Sequence, residues 1–312
     1  DVMDWILHLG AEPIRINEED IVQNRKIEFT IEDKEFNIIL KTSRNRKISF
    51  KQIDYAWQRK WVSNFQPSRS NNFIDNDKIL THLSTEIAFF RNAILTALKI
   101  DNKLFGFTSL PQHNKLNQLL IARQVGLNIP KTKIANHINI KNIEYYITKP
   151  IHFPITLYDN DKVLTTYTTE INERIPNSSF PSLVQNRIRK TLEIRVLYIE
   201  GDIYSMATLD LAKQNLVDIR EQNINSHRKM PYSLPNEIAV KIKNFMNTID
   251  LEYGLIDLIL GTDHKYYFLE VNHVGQFSSL SIYCNHNVEK IIAQKLINNG
   301  KSKIDRKKEF AF

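Results

Sequence analysis

The chain has 312 residues and a mass of 36.6 kDa, enough for two or three packed lobes. A hydrophobic fraction of 42% with 10% aromatics excludes a largely disordered chain, and no run approaches the ~20 apolar residues of a membrane span. The net charge of +7, from 42 basic and 35 acidic residues, suits an anionic partner as well as it suits a solvated Lys-rich surface. The sequence opens Asp1-Val2-Met3-Asp4, with no initiator Met and with acids where a secretory signal carries cations, so its first residues are expected to be missing or processed. Residues 2–9 are apolar at helical spacing, while Glu28-Phe29-Thr30-Ile31 and Phe36-Asn37-Ile38-Ile39-Leu40 read as strands. Residues 64–78, rich in Ser and Asn, read as a loop, and Ile87, Phe90, Ile94 and Leu98 mark one face of a helix over 80–98. A helix around Leu116, Leu119, Leu120 and Val125 stops at Gly126 and Pro130.

Short strands are expected at 131–135, 144–148 and 162–167, and longer ones at 193–199, 202–209, 255–260 and 266–271. Helices over 236–250 and 287–298 complete a C-terminal unit. Strands and helices interleaved in this way predict an α+β fold of several lobes. Cys284 stands alone, which excludes an internal disulfide framework and suits a reducing cytoplasm. Nucleic-acid binding would need clustered cations with interleaved aromatics, and the aromatics here mostly fall in apolar runs.

The segment richest in chemistry is Gly254-Leu255-Ile256-Asp257-Leu258-Ile259-Leu260, a short link, and Tyr266-Tyr267-Phe268-Leu269-Glu270-Val271-Asn272. Both runs are apolar enough for buried strands, and the link makes them a hairpin. Glu270 and Asn272, two apart, share a face, and in a natural register Asp257 joins them from the neighbouring strand. Two carboxylates and an amide oxygen are hard ligands of the kind magnesium takes. The same acids could instead face solvent or pair with nearby cations, and spacing alone leaves both readings open.

Phosphate-binding loops are missing. Gly300-Lys301-Ser302 is half of a P-loop and follows a helix instead of opening one, and 8 Gly in the whole chain leave no dinucleotide fingerprint. Phosphates would then need side-chain cations. Lys149 stands at a strand end before Pro150. Arg195 shares a strand face with Glu193 and Leu197, where its guanidinium needs an anion, either a phosphate or a neighbouring acid. His273, Cys284 and His286 match no zinc-binding spacing.

These residues resemble the ATP-grasp ligases, specifically the branch that crosslinks side chains of microviridin-like peptides (graspetides). The resemblance rests on Val2-Met3-Asp4-Trp5-Ile6-Leu7-His8-Leu9-Gly10, Trp57-Gln58-Arg59 and Asn114-Lys115-Leu116-Asn117-Gln118-Leu119. It continues through Gly126-Leu127-Asn128-Ile129-Pro130-Lys131-Thr132, residues 185–190 and Glu193-Ile194-Arg195-Val196 to Glu270-Val271-Asn272-His273-Val274-Gly275-Gln276-Phe277. It implies an ATP-grasp fold with an N-terminal lobe (1–105) for the leader peptide, a central lobe (106–183), and a C-terminal lobe (184–312) carrying the metal.

By the same resemblance, ATP and Mg2+ are the cofactors. Lys115 and Lys149 would contact phosphates, and a hinge at Gln185, Asn186 and Ile188 would receive adenine. Arg195 would face the γ-phosphate or acyl phosphate, Arg220 would lie near the reacting carboxylate, and Asp257, Glu270 and Asn272 would hold magnesium. Asn186 stands where the hinge usually has Glu, and His273 where Pro commonly follows the metal-binding Asn. The partner implied is a ribosomally made precursor peptide with a leader and an acidic, Thr/Ser-rich core. Its Asp or Glu side chains would be phosphorylated and then joined to Thr, Ser or Lys. The competing readings are a ligase adding glutamate to a protein tail and a basic nucleic-acid-binding protein. A homodimer is left open, and no membrane partner is expected.

Overall fold

The computed structural model describes residues 1–17, 27–32, 35–41, 47–59, 76–106, 114–135, 146–151, 156–159, 162–165, 168–171, 181–210 and 227–309. They divide into two compact units, one comprising Asp1–Phe107 with Asn287–Phe312, the other Thr108–His286. No described helix is long and apolar enough to cross a membrane.

In the first unit, helix α1 (Val2–His8) starts at Asp1, whose side chain accepts from the Met3 amide and so satisfies one of the N–H groups a helix start leaves open. Strands β1 (Ile27–Glu32), β2 (Glu35–Lys41) and β3 (Lys47–Ser49) form an antiparallel sheet in that order. After the short parallel strand β4 (Ala56–Trp57) comes helix α2 (Asn76–Ile100), followed by β4's partner β5 (Leu104–Phe105). Helix α2 opens ahead of the apolar run beginning at Leu80, so 76–78 belong to it; of the expected loop, 64–75 lie outside the described residues. Ile94, Leu95 and Leu98, at helical spacing, are buried with Ile38, Phe50 and Leu104.

The second unit carries two sheets. The smaller combines β6 (Thr132–Ala135), β7 (Tyr146–Lys149), β10 (Thr169–Glu170) and β11 (Ser182–Asn186) in the order β10-β7-β11-β6. A separate hairpin pairs β8 (Thr156–Asp159) with β9 (Lys162–Thr165). Strand β11 runs between β7 and β6, across the expected boundary at 183/184.

The larger sheet holds β12 (Lys190–Ile199), β13 (Asp202–Asp210), β14 (His227–Pro231), β15 (Tyr253–Gly261) and β16 (Tyr266–Asn272), ordered β14-β13-β12-β15-β16 and antiparallel throughout. Helices α3 (Lys115–Gln124) and α4 (Asn236–Thr248) cover one of its faces. Leu119, Ala122, Ile242 and Phe245 from the helices share a core with Ile194, Val196, Ile256, Leu258 and Phe268 from the strands. The Phe245 and Phe268 rings lie 4.7 Å apart. A short helix, α5 (Ser278–Cys284), packs on β13 and β14.

The last helix, α6 (Val288–Glu309), departs from the expectation that a helix over 287–298 closes the C-terminal lobe. It belongs to the first unit, packs on α1, and sets Lys290 Nζ 5.2 Å from the centre of the Trp5 ring. Its buried Val288, Ile292 and Ala293 form an apolar stripe, and a stripe of this kind says that a helix packs without saying on what.

Candidate active site on the larger sheet

The face of the larger sheet turned away from the helices is polar where β12, β15 and β16 meet. Arg195 pairs with Asp257 across β12 and β15, and Asp257 with Glu270 across β15 and β16, so the three form one cross-strand row. The next row is Leu197, Leu255 and Asn272. Residues directly opposite in antiparallel strands point the same way, about 5 Å apart at Cβ. The two carboxylates are therefore neighbours, with the Asn272 amide one row along.

An irregularity in β16 makes this possible. The register shifts between Asp257, which pairs with Glu270, and Leu258, which pairs with Phe268, so Leu269 is the extra residue of a bulge. Without the bulge, Phe268 and Glu270 would share a face. With it, Phe268 lies fully buried in the core and Glu270 faces the polar side.

Cations meet both carboxylates. Arg195 donates from Nε to Asp257 Oδ1 at 2.9 Å and from Nη2 to Oδ2 at 3.3 Å. Asp257 is thus an anion that Arg195 finds on the protein, and Glu193 pairs with Lys190. Lys115 Nζ lies 3.3 Å from Glu270 Oε2 and donates to the Pro150 carbonyl, also at 3.3 Å. Lys115 is the first residue of α3, where the Asn114 side chain caps the helix by accepting from the Asn117 amide at 2.9 Å. Lys149, at the end of β7, completes the group. Burial lowers the pKa of its ammonium and Lys115 lowers it further, while Glu270 and Asp257 act in the opposite direction. Three cations thus surround two carboxylates, an arrangement ready for additional negative charge.

The donor set fits magnesium. Asp257 and Glu270 are each about one-third exposed, so water and phosphate oxygens can complete a coordination shell. Asn272 is exposed, and its Oδ1 accepts from the Val274 amide at 3.1 Å, which keeps a lone pair on that oxygen for a metal. No group of three or more His, Cys, Asp and Glu stands together among the described residues, so the zinc option at His273, Cys284 and His286 gains no geometry. Burial lowers the pKa of His273 and raises that of the Cys284 thiol.

The expected hinge is partly a strand. Gln185 in β11 is buried, and its Nε2 donates to Thr132 Oγ1 at 2.8 Å. Its Oε1 has no hydrogen-bond partner among the described residues. A buried acceptor left so costs ~1–3 kcal/mol, which a ligand's N–H would recover. The Asn186 amide donates to the Lys131 carbonyl at 3.0 Å, and Ile188 is half-buried. Arg220 lies outside the described residues.

Two residues of the resembling motifs without a role assigned there are Gln118, whose side chain binds the backbone of Val271, and Gly275. A Cβ on Gly275 would stand 2.8 Å from Leu255 Cβ and 3.2 Å from the Asn272 carbonyl oxygen.

No model of a known protein family matches the sequence, and no curated protein matches it. Solved structures do match, and they define the class: the chain has the ATP-grasp ligase fold over nearly its whole length. One is a RiPP-associated ATP-grasp ligase of Chryseobacterium gregarium in complex with ADP, a leader and a core peptide. It is 24% identical, covers 95% of this chain and 92% of its own, and has a TM-score of 0.77. A second is the macrocyclase MdnC of Microcystis aeruginosa MRC bound with the precursor peptide MdnA, at 21% identity, 95% and 94% coverage and a TM-score of 0.75. The ATP-grasp ligase PsnB, complexed with a phosphomimetic variant of a minimal precursor, Mg and ADP, matches at 14% identity, 96% and 94% coverage and a TM-score of 0.72.

Proposed function

We propose that this chain is an ATP-dependent ligase that activates Asp or Glu side chains of a ribosomally made precursor peptide and closes them onto Thr, Ser or Lys side chains. The observation that carries the reading is the row Arg195–Asp257–Glu270 with Lys115 and Lys149 gathered on it. The similar structures of Chryseobacterium gregarium and Microcystis aeruginosa, solved with leader, core or precursor peptides, give the acceptor class. The need for ATP and the lone, buried Cys284 suit a cytoplasmic enzyme.

The chemistry assigned to the residues is electrostatic. Asp257, Glu270 and Asn272 would hold magnesium, which when bound supplies neutralisation of phosphate charge. Lys115 and Lys149 hold phosphate oxygens, and Gln185 Oε1 accepts from the adenine amino group beside Asn186 and Ile188. A carboxylate oxygen of the peptide attacks the γ-phosphorus, forming an acyl phosphate as the bond to ADP breaks. Arg195 carries the charge of the transferring group in both steps. The hydroxyl or amine then attacks the acyl carbon, the bond to phosphate oxygen breaks, and inorganic phosphate leaves while the nucleophile's proton passes to solvent. By the sequence resemblance, Arg220 orients the peptide carboxylate.

Incubation with ATP, magnesium and an acid- and Thr-rich peptide encoded beside the gene tests this reading. Each bond formed removes one water from the peptide mass and releases one ADP. A gain of glutamate residue masses would assign the tail-extending chemistry instead. Neither a mass change nor ADP across plausible partner peptides would end the ligase reading.

A further inference from the structure

The geometry points to Gln118 as a positioning residue that fixes the metal-binding strand, and this rests on the ligase reading above. Among the described residues, strand β16 is the edge of the larger sheet, so no described strand pairs with that side of its backbone. At Val271, the residue between Glu270 and Asn272, the Gln118 side chain takes the place of such a strand. The Val271 amide donates to Gln118 Oε1 at 2.9 Å, and Gln118 Nε2 donates to the Val271 carbonyl at 3.1 Å. The Gln118 side chain is only 3% exposed, so water cannot substitute for either bond.

A second anchor lies on the far side of the bulge. The Phe268 amide donates to the Asn128 carbonyl at 2.8 Å, and Asn128 Nδ2 donates to the Tyr266 carbonyl at 3.2 Å. The extra residue Leu269 is therefore bracketed by two fixed points, both supplied by α3 and the turn that follows it.

The bracket bears on function because a bulge can migrate along an edge strand. A slip of one residue turns every side chain beyond it to the opposite face. Here it would carry Glu270 and Asn272 towards the core and Val271 onto the polar face. Anchoring the backbone of Val271 excludes that slip where the two ligands sit. The same helix reaches the site directly, since Lys115, three residues before Gln118 and so on the same helical face, pairs with Glu270. Helix α3 thus sets both the height of the strand that carries the oxygens and the resting partner of one of them.

The test measures Mn2+ binding to the full chain with saturating ADP by electron paramagnetic resonance, alongside hydrogen exchange at the Val271 amide. Gln118→Met keeps the side-chain volume and removes both bonds. It is expected to speed exchange at Val271, to weaken Mn2+ at least about tenfold, the usual cost of losing an outer-shell partner, and to leave ADP binding without metal unchanged. Leu119→Ala, a core truncation on the same helix, is expected to lower the melting temperature with no change in Mn2+ affinity. Gln118→Glu, which keeps the acceptor for the Val271 amide and loses the donor, is expected to fall between wild type and Met, and carries the test alone if the Met variant fails to fold. Wild-type Mn2+ affinity in a variant whose Val271 amide exchanges freely would overturn the proposal. A wild-type chain that binds no Mn2+ with ADP would instead remove the ligase reading, and the role of Gln118 with it.

Discussion

Arg195 and Asp257 face each other across adjacent strands and share two hydrogen bonds, at 2.9 and 3.3 Å, that use one edge of the guanidinium and both carboxylate oxygens. The pair joins the residue proposed to meet the transferring phosphoryl group to a residue proposed to hold magnesium. In the proposed reading Asp257 therefore has two positive partners, Arg195 and the metal.

Replacing Asp257 by Asn therefore separates stability from catalysis. Arg195 is 42% and Asp257 32% exposed, and such ion pairs contribute ~0–1 kcal/mol, so the melting temperature should barely move. ATP turnover measured as ADP release should fall about 100-fold or more, because the metal loses a charged ligand and keeps an amide. Near-normal turnover would remove Asp257 from the metal site.

Lys149→Met should cost activity and spare the fold. Burial of the ammonium is the leading influence on its pKa and disfavours the charged form, so an apolar replacement of similar length relieves a desolvation cost. Turnover should drop about 100-fold through loss of the proposed phosphate contact, while thermal unfolding should show a melting temperature equal to or above wild type. A variant that melts early and keeps its turnover per folded molecule would make Lys149 a structural residue.

How much of this was legible in the sequence follows from how far each feature depends on local pattern. Strand period placed Glu270 and Asn272 on one face, but the register set by the short link would put Asp257 opposite Leu269, and the bulge is what brings it opposite Glu270. The bulge at Leu269 was not readable, since an apolar Leu in an apolar strand gives no sign that it is unpaired. Gln118 was hidden because its partners are backbone atoms 153 residues away, and no side-chain pattern records them. Helix α6 was visible as a helix, but which unit its apolar stripe joins depends on tertiary packing. Gln185 was named by resemblance alone; the unpartnered Oε1 that gives it a physical reason needed the structure.

Gly275 illustrates a constraint carried by space. A methyl group there would meet Leu255 Cδ1 at 2.7 Å and Leu255 Cβ at 2.8 Å, close enough that the turn after Asn272 must shift. Gly275→Ala should cost about 1–3 kcal/mol in urea denaturation, the range for overpacking a filled site. It should also raise the magnesium concentration giving half-maximal turnover, since the Gly275 amide donates to the Asn272 carbonyl at 3.2 Å and moves with it. An unchanged magnesium dependence in the destabilised variant would separate the turn from the metal site.

Tyr266 gives a prediction in pH. Its hydroxyl lies 2.5 Å from that of Tyr232, and burial first, then this hydrogen bond, push its pKa up to about 12. The unfolded chain ionises Tyr266 near pH 10, so between pH 10 and about 12 the folded state holds a proton that the unfolded state has released. Stability contributed by the pair is thus complete below pH 10 and is lost as pH rises towards 12. Tyr266→Phe removes the bond and should be less stable than wild type by about 1 kcal/mol near neutral pH, with the gap closing across that alkaline window. Because the Tyr266 carbonyl is also held by Asn128, the variant keeps the edge of β16 anchored and should retain its magnesium dependence. Urea denaturation of both proteins at a series of alkaline pH values decides the matter: a gap that stays constant to pH 12 would show that the Tyr232 hydroxyl does not hold the Tyr266 proton.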